Sequence, residues 1–458
     1  MSDWVDLAAL GTGAVVAPAG HGKTHSIGQT VENHPELRIL VLTHTNAGIA
    51  ALRRRVAIRG SKRPRIETIS AFSLKLVRAF PSRAEWTEGT KPELSNIQSA
   101  ALKALQSTTV LEVVALGFDL VIVDEFQDCS PDQARTVEIL AGVIPTVVLG
   151  DPLQAIFDFG RTPSAPWNGS TDTLPLLETL STPHRWTNTN PALGEWLAVA
   201  RTDLMAGRRP SVPDSHPLEI VTLQREASRG GLYDVIPREG TTAVIYPNHS
   251  NINALSVIAR SYRGLIRVAE TSDLVDVRNV ARTVDNASDR VAVLLAIVEF
   301  AAKTRTAVSS PIVTTLCRNL KSKGQASKST QPVVAAAALY LNHGSREAVL
   351  EFFRLLIHSP CGYTYRPQLQ KLLVEGLFMG QADPDSSIEE CVSQLIEGQN
   401  HRSSWEPFGT IVGTTLRLKG LEFDNVIVLD PPTITSRNHL YVALSRASKR
   451  LILARTGQ

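Results

Sequence analysis

Two short segments carry the residue types that phosphate chemistry requires. The first, APAGHGKT (residues 17–24), fits the pattern [AG]xxxxGK[ST] and follows the apolar run AVVA. Its glycines allow the backbone to fold tightly around a phosphate, while Lys23 offers a charge to the β- and γ-phosphates and Thr24 offers a hydroxyl to Mg²⁺. A chance glycine turn before a helix is the alternative. The strand signals before the segment and the helical signals after it favour a phosphate loop.

The second segment, VIVDEFQD (residues 121–128), joins an unbroken apolar run to a cluster of acids. A run without polar alternation predicts a strand buried on both faces, as in a parallel sheet. The acids then lie at its carboxyl end, where open α/β sheets bind ligands. Asp124 is predicted to hold Mg²⁺ and Glu125 to polarise an attacking water. An exposed helix N-terminus, whose dipole favours acids, is the alternative, and the upstream phosphate loop makes it the weaker one.

The apolar runs that must position these residues fall into two blocks. Strand-like runs occupy residues 14–17, 38–43, 119–124 and 146–151, and then 218–223, 242–246, 410–415, 425–430 and 450–455. Helical patterns separate them, so each block predicts an α/β domain with a mainly parallel sheet. We expect a first domain over 1–195 with a very short insertion at about 78–117, and a second over 196–274 and 401–458. Residues 275–400 have few strand signals and predict a helical insertion.

Composition bounds the class of protein. The 458 residues suffice for two to four domains, and the net charge of +3 is mild. Seven basic residues among the thirteen from Arg53 to Arg65 indicate either a solvated helix face or a contact with a phosphate backbone. The four cysteines have no CxxC spacing, which fits a reducing cytosol. Neither a signal peptide nor a membrane-spanning run is evident, so we expect a cytoplasmic protein with no membrane partner.

The order of the motifs resembles a known family. PAGHGKT, THTNAGIAALRRR, DEFQD, GDPLQAIFDF, KGLEF and LYVALSRA follow one another as in superfamily 1 helicases of the UvrD/Rep type. The resemblance covers roughly residues 10–260 and 405–455, and it implies two RecA-like P-loop domains that use ATP and Mg²⁺. The short chain also resembles the helicase component of Gabija-type bacterial anti-phage systems.

The resemblance implies nucleotide roles at matching positions. Gln154 would sense the γ-phosphate, and Arg185 and Arg446 would reach it, Arg446 from the second domain. An ordinary surface ion pair is the alternative for each arginine. His184 would stack on adenine, and Glu422 would accept a ribose hydroxyl. The predicted catalytic residues are Lys23, Asp124, Glu125, Gln154, Arg185 and Arg446; the nucleotide-binding residues are Ala19, Gly20, Gly22, Lys23, Thr24, His25, His184 and Glu422; the metal ligands are Thr24 and Asp124.

The resemblance also implies a track for nucleic acid. The predicted residues are Thr43, His44, Asn46, Thr68, Phe157, Phe159, Thr414 and Arg417. Ring stacking on bases is tolerant of sequence and contributes about 1–3 kcal/mol per base. For the two phenylalanines, a role in the hydrophobic core is the alternative.

Several positions depart from the family pattern. Residues 1–22 contain no glutamine, although the family usually reads adenine with one, and Leu416 stands where the family has a histidine. The insertion in the first domain is tiny, which predicts weak unwinding by the chain alone. No nuclease-like cluster of acids follows the last motif, so any cutting would belong to a partner.

Three functions are compatible with these residues. The first is a DNA-stimulated ATPase that moves 3′→5′ on single-stranded DNA or a tailed duplex, in anti-phage defence or DNA repair. The second is a regulatory subunit that senses nucleotide and DNA for a partner nuclease or ATPase. The third is a DNA-independent kinase or GTPase, which the nucleic-acid motifs disfavour.

Overall fold

A computed structural model describes residues 4–55, 64–87, 94–157, 164–213, 216–247, 252–269, 274–308, 310–326, 331–402 and 409–456. Contacts divide the chain into two compact units. The first is built mainly from Met1–Leu218 and Ile434–Lys449, and the second from Glu219–Arg402, Glu406–Thr433 and Arg450–Gln458.

The first unit contains a six-stranded sheet in the order β3-β2-β4-β5-β1-β6. Its strands are β1 (Gly13–Val16), β2 (Ile39–Thr43), β3 (Arg65–Thr68), β4 (Leu120–Val123), β5 (Thr146–Gly150) and β6 (Leu176–Thr179). All neighbouring strands run parallel. Every residue of β1, β2, β4 and β5 is buried, as their unbroken apolar runs predict.

The register of this sheet brings the motif-bearing loops to one edge. Val16 of β1 lies opposite Gly150 of β5, and Val123 of β4 lies opposite Val148 of β5. The segments that follow these three strands therefore leave the sheet side by side. They are the phosphate-loop segment, the DEFQD segment and the GDPLQ segment.

The first unit's helices pack on this sheet. They are α1 (Lys23–Asn33), α2 (Asn46–Arg55), α3 (Ile69–Ala79), α4 (Pro81–Ala84), α5 (Leu94–Leu105), α6 (Thr108–Ala115), α7 (Pro131–Ala141), α8 (His184–Thr187) and α9 (Pro191–Met205). The region predicted as a short insertion corresponds to α4–α6. Ala101, Ala104 and Val110 from these helices are buried in the same core as β4, so the region is part of the domain's own packing.

The second unit contains another six-stranded sheet, in the order β7-β12-β11-β8-β10-β9. Its strands are β7 (Glu219–Leu223), β8 (Thr242–Ile245), β9 (Ile266–Val268), β10 (Thr410–Gly413), β11 (Phe423–Leu429) and β12 (Ala447–Thr456). β8 pairs in parallel with both β10 and β11, β9 with β10, and β7 with β12. The prediction of two α/β domains with mainly parallel sheets is confirmed.

Helices fill the chain between the strands of the second sheet. α10 (Ile252–Arg260) precedes β9. Between β9 and β10 lie α11 (Val275–Asn286), α12 (Arg290–Thr304), α13 (Pro311–Lys323), α14 (Pro332–His343), α15 (Arg346–Ile357), α16 (Pro367–Ala382) and α17 (Ile388–Arg402). These seven helices share one apolar core, which includes Leu294, Phe353 and Leu372.

Two short helices follow β10. They are α18 (Thr415–Leu418) and α19 (Arg437–Leu444). Although α19 lies between β11 and β12 in the chain, residues Ile434–Lys449 belong to the first compact unit. Asn438 explains part of this placement, because its amide donates to the carbonyls of Pro152 and Ala155 at 3.1 and 2.8 Å. The contact-based division therefore differs from the predicted domain boundary, which assigned all of 401–458 to the second domain.

Candidate active site

The loop between β1 and α1 can be built only around glycines. Gly20 and Gly22 have φ values of +74° and +81°, in the left-handed region that L side chains rarely adopt. A Cβ atom on Gly20 would lie 2.7 Å from the Trp186 ring, and one on Gly22 would lie 1.9 Å from the Trp4 ring. The amides of His25 and Ser26 already donate to the Gly22 carbonyl at 2.9 Å each, which starts α1 immediately after the loop.

Lys23 opens α1 beside both acids of the DEFQD segment. Its Nζ lies 2.5 Å from Glu125 Oε1 and 3.4 Å from Asp124 Oδ1. Burial lowers the pKa of Lys23, but attraction by Asp124 and then Glu125 outweighs it, so the pKa is raised overall. Burial also raises the pKa of Asp124, and Lys23 offsets this only in part. The three predicted residues thus form one buried charge cluster with a protonated lysine.

A continuous chain of hydrogen bonds leads from this cluster to Arg446. Gln127 donates from Nε2 to Glu125 Oε2 at 2.5 Å, and its Oε1 accepts from the Asp151 amide at 3.0 Å. Asp151 Oδ2 accepts from Gln154 Nε2 at 3.1 Å. Gln154 Oε1 in turn accepts from Arg446 Nη2 at 3.1 Å. The predicted water-polarising acid, phosphate-sensing glutamine and γ-phosphate arginine are therefore linked within the first compact unit.

Arg185 meets the same region through its backbone and its side chain. Its amide donates to the Gly20 carbonyl of the phosphate loop at 3.0 Å. Its Nη1 donates to the Ser445 carbonyl at 2.5 Å, and Ser445 Oγ also accepts from Arg446 Nη2 at 3.1 Å. The guanidinium lies 5.3 Å from the Trp186 ring centroid. The structure thus brings the two predicted arginines to one serine.

Three residues that the motif analysis did not select complete the site. Arg201 Nη2 pairs with Asp151 Oδ1 at 3.0 Å, and Asp151 is fully buried. Tyr441 accepts from the Ala19 amide of the phosphate loop at 3.2 Å. Burial, reinforced by the negative charge of Asp151, raises the pKa of Tyr441 and keeps its hydroxyl protonated. Asp151 follows β5 as Asp124 follows β4, and Tyr441 lies within LYVALSRA, so both positions offered a usable clue, whereas Arg201 on α9 offered none.

His184, which was predicted to stack on adenine, and His25, which was predicted to bind nucleotide, contact the same ring. The His184 ring stacks on Trp4 with centroids 3.7 Å apart, and the His25 ring lies 3.8 Å from the same indole. Glu422 lies in the second compact unit, just before β11. The structure therefore gathers His25 and His184 with the phosphate loop around a tryptophan that the motif analysis did not select.

The predicted nucleic-acid residues of the first unit that the structure describes lie at the end of β2 or β3, or in the segments that follow β2 and β5. The His44 and Phe157 rings stack with centroids 6.0 Å apart. Thr43 is buried at the end of β2, while Thr68 caps α3 by accepting from the Ala71 amide at 3.0 Å. Phe159 and the side chain of Asn46 lie outside the described residues.

A cavity of about 600 Å³ opens beside Phe157. Trp167, Met205 and Arg437 contribute to its lining. An aromatic wall with a guanidinium suits a flat ring joined to an anion.

The remaining predicted nucleic-acid residues belong to the second unit. Thr414 is buried at the start of α18, and Arg417 Nη1 donates to the Ala269 carbonyl at 2.5 Å. Thr414 therefore lies directly after β10, and Arg417 contacts the residue that directly follows β9. These two remain predictions, as do all the roles assigned from the motifs.

The described residues were compared with two further kinds of feature, a metal-ligand cluster and a membrane-spanning helix. No group of three or more His, Cys, Asp or Glu side chains is arranged there to hold a metal. Among the same residues, no helix has the length and apolar character needed to cross a bilayer.

A parallel sheet whose loops carry a glycine turn, a buried lysine and paired acids defines a phosphate-loop α/β protein. Residues 90–163 match the UvrD/REP helicase N-terminal domain, and residues 411–454 match the UvrD-like helicase C-terminal domain. These two stretches of the chain are thus similar to the two halves of UvrD/Rep-type helicases.

A solved structure described as the structure of PRRSV helicase is similar over 96% of this chain and 51% of that one, with 10% sequence identity and a TM-score of 0.35. This chain therefore spans about half the length of that protein. No curated protein matches it.

Arg201 provides a test of the buried network. Replacing Arg201 with Met leaves Asp151 as an uncompensated buried charge, and we expect a loss of about 3–5 kcal/mol in the free energy of unfolding. The measurement is denaturant unfolding followed by circular dichroism. The matched control is Arg208→Met, because Arg208 pairs with Asp203 while its side chain is 64% exposed, and we expect it to cost under about 1 kcal/mol. Equal losses in the two variants would contradict the network's importance.

Proposed function

We propose that the chain is an ATP-dependent DNA translocase or helicase, whose DNA-stimulated ATPase drives 3′→5′ movement on single-stranded DNA. The observation that supports this most directly is the hydrogen-bond chain from Glu125 to Arg446, with Lys23 at its start. It joins a phosphate-binding cation, an acid and a guanidinium in one buried network. The polarity rests on the family resemblance.

The residues around the phosphate loop fit ATP with Mg²⁺. Mg²⁺ prefers oxygen ligands and is commonly held by one or two carboxylates together with substrate phosphates and water. Thr24 and Asp124 supply such oxygens next to Lys23, whose charge is already compensated by carboxylates. Bound Mg²⁺ would neutralise charge on the phosphates. We infer that the amides of Gly20 and Gly22 cradle the phosphates.

Hydrolysis would use groups that the network already orients. Glu125 would polarise the attacking water, and its hydrogen bond with Gln127 fixes the carboxylate. Arg446 and Arg185 would stabilise the charge that develops on the transferred phosphoryl group. Gln154 lies between Asp151 and Arg446, so a γ-phosphate that engages Gln154 would also shift the arginine.

Single-stranded DNA would bind on the same unit. The His44–Phe157 ring pair and the adjoining cavity offer flat surfaces for bases, and stacking needs no particular sequence. Phe157 follows Gln154 closely in the chain, so a change at the phosphate site reaches the stacking ring through one short segment. Movement would follow from a nucleotide-dependent change in this grip.

A role in anti-phage defence or DNA repair, within the cytoplasm, is the wider proposal and rests on the resemblance to Gabija-type systems. One observation favours the regulatory alternative, a nucleotide- and DNA-sensing subunit of a partner nuclease. The helices α4–α6 are committed to the core of the first unit. They are therefore poorly suited to engaging a duplex.

Lys23→Ala should abolish ATP hydrolysis while leaving single-stranded DNA binding within about threefold, since stacking does not depend on the phosphate cation. Turnover is measured by phosphate release with and without single-stranded DNA, and binding by fluorescence anisotropy. The control is Lys103→Ala, whose exposed lysine pairs with Glu85 far from the loop. DNA-stimulated turnover in the Lys23 variant would overturn the assignment.

Arg446→Ala should lower kcat by about 10³-fold, the smaller effect typical of a guanidinium at the transferred phosphoryl group. KM should change far less, because the charge that Arg446 stabilises develops in the transition state. Steady-state kinetics separates the two constants. Arg135→Ala removes an exposed arginine from α7 and should alter neither. A normal kcat for Arg446→Ala would exclude this role.

A tailed duplex distinguishes the two proposed functions. Because weak unwinding is predicted for the chain alone, we expect it to release the labelled strand slowly from a duplex with a 3′ single-stranded tail, and not from one with a 5′ tail. ATP hydrolysis without strand release on either substrate would favour the regulatory subunit. Release from the 5′-tailed duplex alone would contradict the proposed polarity.

A further inference from the structure

Trp4 is held against the nucleotide site by the residues that follow it. Asp6 Oδ2 pairs with His34 Nε2 at 2.9 Å, and the Leu7 amide donates to Thr30 Oγ1 at 3.0 Å. Both partners belong to the C-terminal end of α1 or its cap. The anchored turn thus fixes the segment along α1, and Trp4 lies ahead of it, near the other end of the helix.

The Trp4 indole is sandwiched between two imidazoles. His184 stacks on it with centroids 3.7 Å apart and an interplanar angle of 19°, and His25 lies 3.8 Å away at 42°. One face of an indole accommodates only one ring at such separations. The two histidines therefore lie on opposite faces, and the space between them is one aromatic ring thick.

Both walls of this slot belong to the phosphate site. His25 lies in the first turn of α1, which begins at Lys23. His184 precedes Arg185, whose amide donates to the Gly20 carbonyl at 3.0 Å. The indole itself touches the loop, because a Cβ on Gly22 would meet it at 1.9 Å. A nucleotide whose phosphates occupy this loop would reach the slot with its base.

We infer that Trp4 occupies the position of the nucleobase and competes with it for the slot between His25 and His184. This inference rests on the proposed nucleotide hydrolysis. Indole and purine are both flat bicyclic aromatic rings, so the same pair of imidazoles can stack on either. Only the fraction of molecules with Trp4 displaced can stack a base, and the apparent affinity for nucleotide is reduced by that fraction. Trp4 thereby sets the KM for ATP.

Trp4→Ala should lower the dissociation constant of a non-hydrolysable ATP analogue, and the KM for ATP, by about tenfold, the order expected when two competing ring contacts are lost. Trp4→Phe keeps a smaller ring and should give an intermediate value. Calorimetry gives the dissociation constant without turnover. The control is Trp196→Ala, since Trp196 lies on α9 and donates to the Ser211 carbonyl.

Inorganic tripolyphosphate separates the base slot from the phosphate loop. It has no base, so its inhibition constant should be the same in the natural chain and in Trp4→Ala. Equal strengthening of tripolyphosphate and ATP would show that Trp4 obstructs the loop instead, and would overturn the inference.

An unchanged or weakened affinity of Trp4→Ala for the ATP analogue would also overturn it. If Lys23→Ala abolishes turnover while Trp4→Ala leaves nucleotide binding unaltered, only this inference fails. If neither the natural chain nor Trp4→Ala binds nucleotide, the proposed function itself fails.

Discussion

The arrangement of the first unit depends on the buried cluster of Lys23 with Asp124 and Glu125. A buried ammonium without partners would be costly, and carboxylates at 2.5 and 3.4 Å compensate it. The cluster exists because β1, β5 and β4 are parallel neighbours, which places the loop after β1 and the acids after β4 at the same edge. The unbroken apolar strands are thus the cause of the charge cluster as well as of the core.

Local patterns made much of this predictable. VIV before Asp124 and AVVA before the phosphate loop each indicate a fully buried strand, and parallel strands must carry their following loops to one edge. Long-range contacts were not predictable in the same way. The Ala19 amide meets Tyr441 across 422 positions of sequence, and Arg201 meets Asp151 across 50. Two residues so far apart in the chain leave no periodic pattern in the sequence from which their contact could be predicted.

For Arg446, the sequence predicted the neighbouring side chain but not the compact unit to which the residue belongs. Its motif allowed a guanidinium near Gln154 to be expected, and the two side chains are 3.1 Å apart. The family resemblance implied the second domain as its source. The side chains of Asn438 and Tyr441 bond to backbone atoms of the first unit, so residues 434–449 cluster with that unit. The order of the elements along the chain does not show with which unit residues 434–449 pack.

Groups of the protein itself contact one another where the nucleotide is proposed to bind. Carboxylates contact Lys23 where phosphates are proposed to bind, the Tyr441 hydroxyl accepts from the Ala19 amide of the loop, and the Trp4 indole fills the slot proposed for a base. Each substitute keeps a polar or aromatic group from being left without contacts, which would otherwise cost stability. Each would also have to be displaced or rearranged for the proposed nucleotide to bind. Under the proposed function, nucleotide affinity would be a difference between two sets of contacts, so the segment around Trp4 would tune affinity without altering a residue proposed to touch the phosphates.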